Sequence, residues 1–192
     1  MGELKLQNIL YSVEEYFSID AQSEDRYEYH AGYVRAMAGT TTMHNLIIQN
    51  LVVLFRAAIK NKGRKCKIFT ENVRLELPQK KAYYYPDLMF TCNPLDLQEK
   101  NMVHAPTLII EVLSESSFAI DLSQKVDNYI MIPSLLYYIV ISQSEYRLRV
   151  WEKVEKRWVY SVYTELSDKI DLPQIDICLS LEELYENVFG EI

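Results

Sequence analysis

Glu111 and Asp87 are carboxylates in stretches that otherwise repel charge. Glu111 lies within TLIIEVLSES, residues 107–116, with Leu108, Ile109 and Ile110 before it and Val112 and Leu113 after it. A run this apolar and partly β-branched reads as a strand buried on both faces. Stripping an ionised carboxylate of water there is costly unless something compensates. Three compensations are open: a buried Lys or Arg, protonation through a raised pKa, or a metal ion shared with other oxygen ligands. Asp87 offers such an oxygen. It follows Pro86 in YYYPDLMFTC, residues 83–92, and proline is tolerated at the head of a strand. If the two strands are antiparallel neighbours, Asp87 at the start of one and Glu111 near the end of the other meet at the same end of the sheet. Two carboxylates brought together do not both ionise cheaply, and a hard divalent cation, Mg²⁺ or Mn²⁺, removes the conflict.

Lys125 is the third group. It lies in DLSQKVDNYIMIP, residues 121–133, where Asp121 with Gln124 can cap a helix that Pro133 ends. Lys125 then sits near the positive N-terminal end of that helix, a poor place for a solvent-facing lysine. A neighbouring acidic site offsets the penalty, and the ammonium can then hold an attacking water or stabilise charge on a phosphate. The alternative is a surface lysine paired with Asp121 at i, i+4. Tyr129, on the same helix face, either orients Lys125 or a phosphate, or fills the core.

The elements that must position these groups are legible in outline. Ser12 with Glu15 forms a capping box for a short helix. DRYEYHAGYVRAMAG, residues 25–39, alternates and turns near Ala31-Gly32, the pattern of a β-hairpin. TTMHNLIIQNLVVLFRAAIKNKG, residues 41–63, reads as a long helix with an apolar stripe of Met43, Ile47, Leu51, Leu54 and Ala58 and with Gly63 past its end. Strand-like runs follow near 65–77, 87–92, 107–113, 135–141, 146–152 and 157–163, and Ser180 with Glu183 starts a last helix. The expectation is a mixed sheet with helices packed on it, α/β or α+β, in a single domain spanning residues 1–192.

Composition bounds the function classes. With 49% hydrophobic residues the chain is globular, not disordered. No apolar stretch is read as a membrane span and no basic-then-apolar leader opens the sequence. Cys66, Cys92 and Cys178 are far apart without a C-x-x-C, which predicts reduced thiols and a cytoplasmic protein and argues against a zinc cage. The net charge of −7 argues against a tight nonspecific nucleic-acid binder, while leaving room for a local basic groove. Lys60–Lys67 and Lys80-Lys81 are the clusters that could line one, or they are solvated loop charge. The fifteen tyrosines are expected mainly in the core and on sheet faces.

Pro86-Asp87, Glu111-Val112-Leu113-Ser114, Asp121, Lys125 and Tyr129, taken in order, resemble the putative restriction-endonuclease domain family of the PD-(D/E)xK nuclease superfamily. Tyr27-Glu28, Gly32, Met37-Ala38-Gly39, His44-Asn45 and IPSLLYYIVI extend the resemblance over roughly residues 10 to 190. It implies a restriction-endonuclease-like central mixed β-sheet flanked by helices. It also implies metal ligation by Asp87, Glu111 and the Val112 carbonyl, and hydrolysis of DNA phosphodiester bonds. The superfamily lysine belongs two residues after Glu111, where this chain has Leu113; Lys125 on the next helix is the matching residue. Glu28 matches an acidic position of the family. It is either a third catalytic carboxylate or a hairpin residue paired with Arg26 or Arg35. His44, in the first turn of the long helix, is either a packed core histidine or a supporting site residue; His30 and His104 read as surface or turn residues.

The leading expectation is an Mg²⁺- or Mn²⁺-dependent endonuclease acting on DNA, as a homodimer because two related sites most easily cut both strands of a duplex. The alternatives are a catalytically idle nucleic-acid-binding or regulatory module on a nuclease fold, and a structural partner protein.

Overall fold

Leu108–Leu113 forms the fully buried strand its composition demands, β8 in chain order. The computed structural model describes residues 9–37, 39–63, 65–113 and 122–190, so Asp121 and Ser114 lie outside the described residues, as does the Lys80 side chain. The helices are α1 (Val13–Gln22), α2 (Thr42–Asn61), α3 (Gln124–Tyr129) and α4 (Leu181–Leu184). The strands before β8 are β1 (Tyr27–His30), β2 (Tyr33–Ala36), β3 (Lys67–Thr70), β4 (Arg74–Leu77), β5 (Ala82–Tyr84), β6 (Leu88–Thr91) and β7 (Met102–Val103). Those after it are β9 (Tyr137–Ser142), β10 (Leu148–Val154), β11 (Arg157–Tyr163), β12 (Lys169–Leu172) and β13 (Ile177–Ser180).

The central sheet has the order β11-β10-β9-β8-β6-β3 and is mixed: β8 and β9 are parallel, the other pairs antiparallel. A parallel pair needs a crossover connection, and the one between β8 and β9 carries α3. A second sheet, β2-β1-β5-β4-β7, lies over one face, and β12 and β13 pair separately. Side-chain alternation along β8 divides the core. Ile110 and Val112 face α2, packing with Ile47, Leu51 and Phe55. Ile109 and Leu113 face the other way, toward Tyr129, Ile132, Leu75 and Tyr84. Glu111 shares that second face, so its carboxylate enters the layer built by α3 and the second sheet.

The α2 stripe is rotated from the expected one. Ile47 and Leu51 lie on it, but its centre is Leu51 and Phe55, with Ile48 buried on its far side; Met43 is exposed and Leu54 and Ala58 lie at the margin. The expected stripe omitted Ile48 and Phe55, which extend the face at helical spacing. With 20 residues and a mean hydropathy of 1.3, α2 has the length and composition of a membrane span. That match is by length and composition alone; the buried side of α2 covers the sheet.

The Ala31-Gly32 hairpin forms, with both turn residues at positive φ (48° and 97°), as a two-residue turn between twisted strands requires. The Ser12–Glu15 capping box is present in both directions. Ser180 precedes α4, but its side chain makes no capping bond. The 65–77 run is two strands, broken where Glu71 turns the chain at φ 51°.

Cys66 and Cys92 form a disulfide, which corrects the expectation of reduced thiols; Cys178 is free and exposed. The antiparallel register Lys67↔Thr91 makes the two cysteines the next cross-strand pair, with Cα atoms 4.2 Å apart. Linear spacing of 26 residues conceals this. The cysteines therefore no longer support a cytosolic compartment. Reducing this bond is expected to lower unfolding stability by about 2–4 kcal/mol, the scale for closing a loop of this length. Denaturation with and without reductant checks it; an unchanged midpoint would contradict the value.

Tyrosines fill the core, Tyr16, Tyr129, Tyr137 and Tyr138 being fully buried. Burial pushes the Tyr83, Tyr137 and Tyr185 phenols up to about 12, and those of Tyr16 and Tyr129 higher still. Unfolded tyrosines ionise near pH ~10. Above that pH the unfolded chain binds fewer protons than the folded one, so stability is level up to about pH 10 and falls beyond it. Denaturation at stepped alkaline pH is expected to show the tyrosinate absorbance of these five buried phenols arriving together with unfolding. Titration of all fifteen tyrosines, these five included, near pH ~10 in folded protein would contradict the assignment.

Candidate active site

Glu111 is 2% exposed on a central strand. Two groups of α3, one turn apart, meet the same carboxylate oxygen: Lys125 Nζ and Tyr129 Oη each lie 2.9 Å from Oε1. Helical spacing of four residues places both on the face that α3 presents to β8. Of the three compensations open to a buried Glu111, the structure supplies the buried lysine. Lys125 is itself 3% exposed and is not a surface lysine; its expected pairing with Asp121 lies outside the described residues.

Lys125 serves two carboxylates. Its Nζ also lies 3.1 Å from Oε1 of Glu28 on β1, and Arg35 on β2 reaches Oε2 of Glu28 at 3.3 Å. The hairpin register Glu28↔Arg35 sets them side by side. Glu28 therefore meets Arg35, as one expectation had it, and also joins the Glu111 cluster, as the other did. The Tyr85 amide donates to Glu28 Oε1 at 3.4 Å. Two acids and two bases thus balance, Glu28, Glu111 and Lys125 in a dry layer and Arg35 at its solvent-facing margin. The Tyr84 ring lies beneath Lys125, its centroid 5.7 Å from Nζ, a cation–π contact. Burial first, and the Glu111 carboxylate second, hold the Tyr129 phenol well above its ordinary range. It remains a donor to Glu111.

Asp87 stands opposite Glu111. The β6–β8 register pairs Leu88 with Ile110, and one further step pairs Asp87 with Glu111. The expected antiparallel meeting at one sheet end is what the strands form. The Asp87 side chain turns along the rim and continues the ladder: Oδ2 accepts the Val112 amide at 2.6 Å. His44 Nε2 of α2 lies 3.2 Å from the same oxygen. Thr41 caps α2 by accepting the His44 amide at 3.1 Å, which fixes the turn carrying that imidazole. Asp87 with His44 and Val112 therefore holds the rim, and Glu111 with Lys125, Tyr129 and Glu28 holds the adjoining buried face.

Asp87 and Glu111 are the residues that could hold a hard divalent ion. Carboxylate oxygens of Asp87 and Glu111 are the right donor chemistry, and the Val112 carbonyl projects to the same side of β8 as the amide that Asp87 holds. Among the described residues no group of three or more His, Cys, Asp or Glu is arranged around a common point. One or two carboxylates, completed by water and substrate phosphate, is the usual protein share of an Mg²⁺ site.

Several residues of this region carried no sequence signal. His30, expected as a surface or turn residue, ends β1 beside the Ala31-Gly32 turn and is half-buried; its Nδ1 lies 2.8 Å from Tyr84 Oη, which accepts the Asn128 amide at 2.7 Å. Asn128 follows Lys125 by three residues, a spacing that could have revealed it. Buried Asp20 pairs with Arg74 and accepts the Tyr85 hydroxyl at 2.7 Å, anchoring the segment that leads into Asp87. His104 matches expectation more closely, partly exposed and 2.9 Å from Glu76. The basic cluster is remote: Lys60 follows His44 by four turns of α2, about 24 Å along its axis. Lys62 pairs with Asp176 at 2.6 Å and Lys67 donates to the Leu97 carbonyl at 2.8 Å.

A mixed sheet flanked by helices, with a carboxylate–lysine centre at the meeting of antiparallel β6 and β8, defines a nuclease-like class of protein. Residues 13–182 match the family Uma2, described as "Putative restriction endonuclease", and the chain belongs to that family. It is 27% identical over 178 residues to the uncharacterized protein slr1290 of Synechocystis sp., covering 92% of each chain. It is 32% identical over 148 residues to a second Synechocystis protein, sll1609, covering 76% of this chain and 82% of that one. The crystal structure of a putative nuclease belonging to DUF820 from Anabaena variabilis shares the fold, with a TM-score of 0.77 at 17% identity over 92% of this chain and 98% of that one.

Proposed function

We propose that this protein is a metal-dependent endonuclease that hydrolyses phosphodiester bonds in DNA. The observation that carries the reading is Glu111: a carboxylate on the central strand, bonded to a buried lysine, with Asp87 as its cross-strand neighbour. Asp87, Glu111 and the Val112 carbonyl would hold Mg²⁺ or Mn²⁺, which supplies polarisation of the phosphate and a lowered pKa for water. His44 and the Val112 amide fix the Asp87 carboxylate. Tyr129 and Glu28 hold the Lys125 ammonium in place, where it stabilises negative charge developing on phosphate oxygens. The dry surroundings strengthen that interaction relative to water.

The test is cleavage of plasmid DNA by purified protein with Mg²⁺ or Mn²⁺, beside calorimetric Mn²⁺ binding in wild type and Asp87→Ala. Cleavage, with binding that the substitution abolishes, is expected. Wild type that neither binds Mn²⁺ nor cuts any of a broad set of DNA substrates ends the enzymatic reading. One observation favours a second reading, a DNA-binding module without turnover: Lys125 already neutralises Glu111 within a chain of net charge −7. That module would bind DNA with a salt-dependent affinity and leave it intact.

A further inference from the structure

The outer edge of β11 differs from every other sheet end among the described residues. β7 has two residues, and β2, β3, β12 and β13 have four each. β11 has seven, RWVYSVY, with no proline and no charge after Arg157. Its register with β10 is unbroken from Val154↔Arg157 to Leu148↔Tyr163, so no bulge twists the edge away. Natural sheets blunt long edges with charge, proline or bulges, because a bare edge is a template for another strand. Val159, Tyr160 and Val162 are 46%, 51% and 46% exposed, apolar side chains on both faces of the same edge.

The main chain points the same way. The Lys153 amide donates to Leu136 O, and Arg147 O accepts the Ser142 amide, so the odd-numbered residues of β10 bond toward β9. Its even-numbered residues bond Arg157, Val159, Ser161 and Tyr163. The amides and carbonyls of Trp158, Tyr160 and Val162 therefore project outward, and no described strand pairs with them.

We propose that this edge pairs with the β11 edge of a second copy of the chain, antiparallel about a two-fold axis at Ser161. Tyr160 then faces the partner's Val162 and Val162 the partner's Tyr160, and the outward amides and carbonyls bond across the axis. Both are aromatic–β-branched pairs of the kind that stabilise neighbouring strands. The same register brings exposed Arg157 just past the end of the partner's strand, where the turn that follows Tyr163 carries exposed Glu165, twice by symmetry. The pairing closes after two copies and joins the two six-stranded sheets into one. It is independent of the proposed nuclease activity.

At the axis, Ser161 faces its own copy as a non-hydrogen-bonded pair, with Cα atoms about 4.5 Å apart. The chain already bridges such a pair with Cys66 and Cys92 at 4.2 Å. Full-length Ser161→Cys in a Cys178→Ser background is expected to give a covalent dimer under mild oxidation, reversed by reductant. Sedimentation is expected to show a dimer for wild type and a monomer for Val162→Lys. A monomeric wild type, or a dimer in which Ser161→Cys does not cross-link, overturns the proposal. Should Val162→Lys fail to fold, the cross-link alone decides.

Discussion

Lys125→Met is expected to lower the unfolding free energy by about 3–5 kcal/mol, the cost of breaking a buried ion pair from one side. The ammonium is shared by Glu28 at 3.1 Å and Glu111 at 2.9 Å, and all three side chains are almost fully buried. Without it, two carboxylates face each other in a dry layer, with Arg35 meeting only the outer oxygen of Glu28. The loss is therefore mainly uncompensated charge, not lost attraction. Neutralising the acids as well, in Lys125→Met/Glu28→Gln/Glu111→Gln, is expected to recover most of the stability, because a buried ionic cluster gains little over a neutral one of the same shape. Urea denaturation of the two variants reads this directly. If Lys125→Met is as stable as wild type, the cluster is not the buried charge centre described above. The result also bears on activity assays, since an inactive Lys125→Ala protein could simply be unfolded.

Glu111→Gln is the cleaner probe of chemistry. The amide oxygen can still accept from Lys125 and Tyr129, and Lys125 keeps Glu28, so the fold should hold. What disappears is the negative charge that makes Glu111 a cation ligand. DNA cleavage is expected to fall by about 10²–10³-fold or more, the scale of removing one group that stabilises developing charge. Asp87→Asn is expected to behave alike, because its side-chain oxygen can still accept the Val112 amide. Cleavage rates at saturating Mn²⁺, measured beside thermal unfolding, separate the effects. Wild-type rates in both folded variants would remove these carboxylates from the mechanism, whatever the family does elsewhere.

Much of this centre could be read from local pattern. The period of two along a strand puts Glu111 on one face with Ile109 and Leu113. Pro86 before Asp87 places that residue near the head of its strand, and antiparallel pairing of the two runs then brings the carboxylates to one rim. The helical spacing of Lys125 and Tyr129 puts both on one face. Each of these is a property of a few consecutive residues and survives any choice of tertiary partner.

Residues joined across long stretches of chain were not legible in this way. Glu28 reaches Lys125 from a hairpin nearly a hundred positions earlier, and no periodicity specifies which pair of elements will touch. Asp20 and Arg74 anchor Tyr85 through the same kind of distant contact. The Cys66–Cys92 bridge depends on strand register, which the packing of both faces sets. The centre of the α2 stripe likewise follows from which side of the helix the sheet meets, because Ile48 and Phe55 extend an apolar arc wide enough to dock in more than one rotation. Backbone preference and alternation act over a few residues; burial chooses among their combinations, and it is defined only once the whole chain has closed around Glu111.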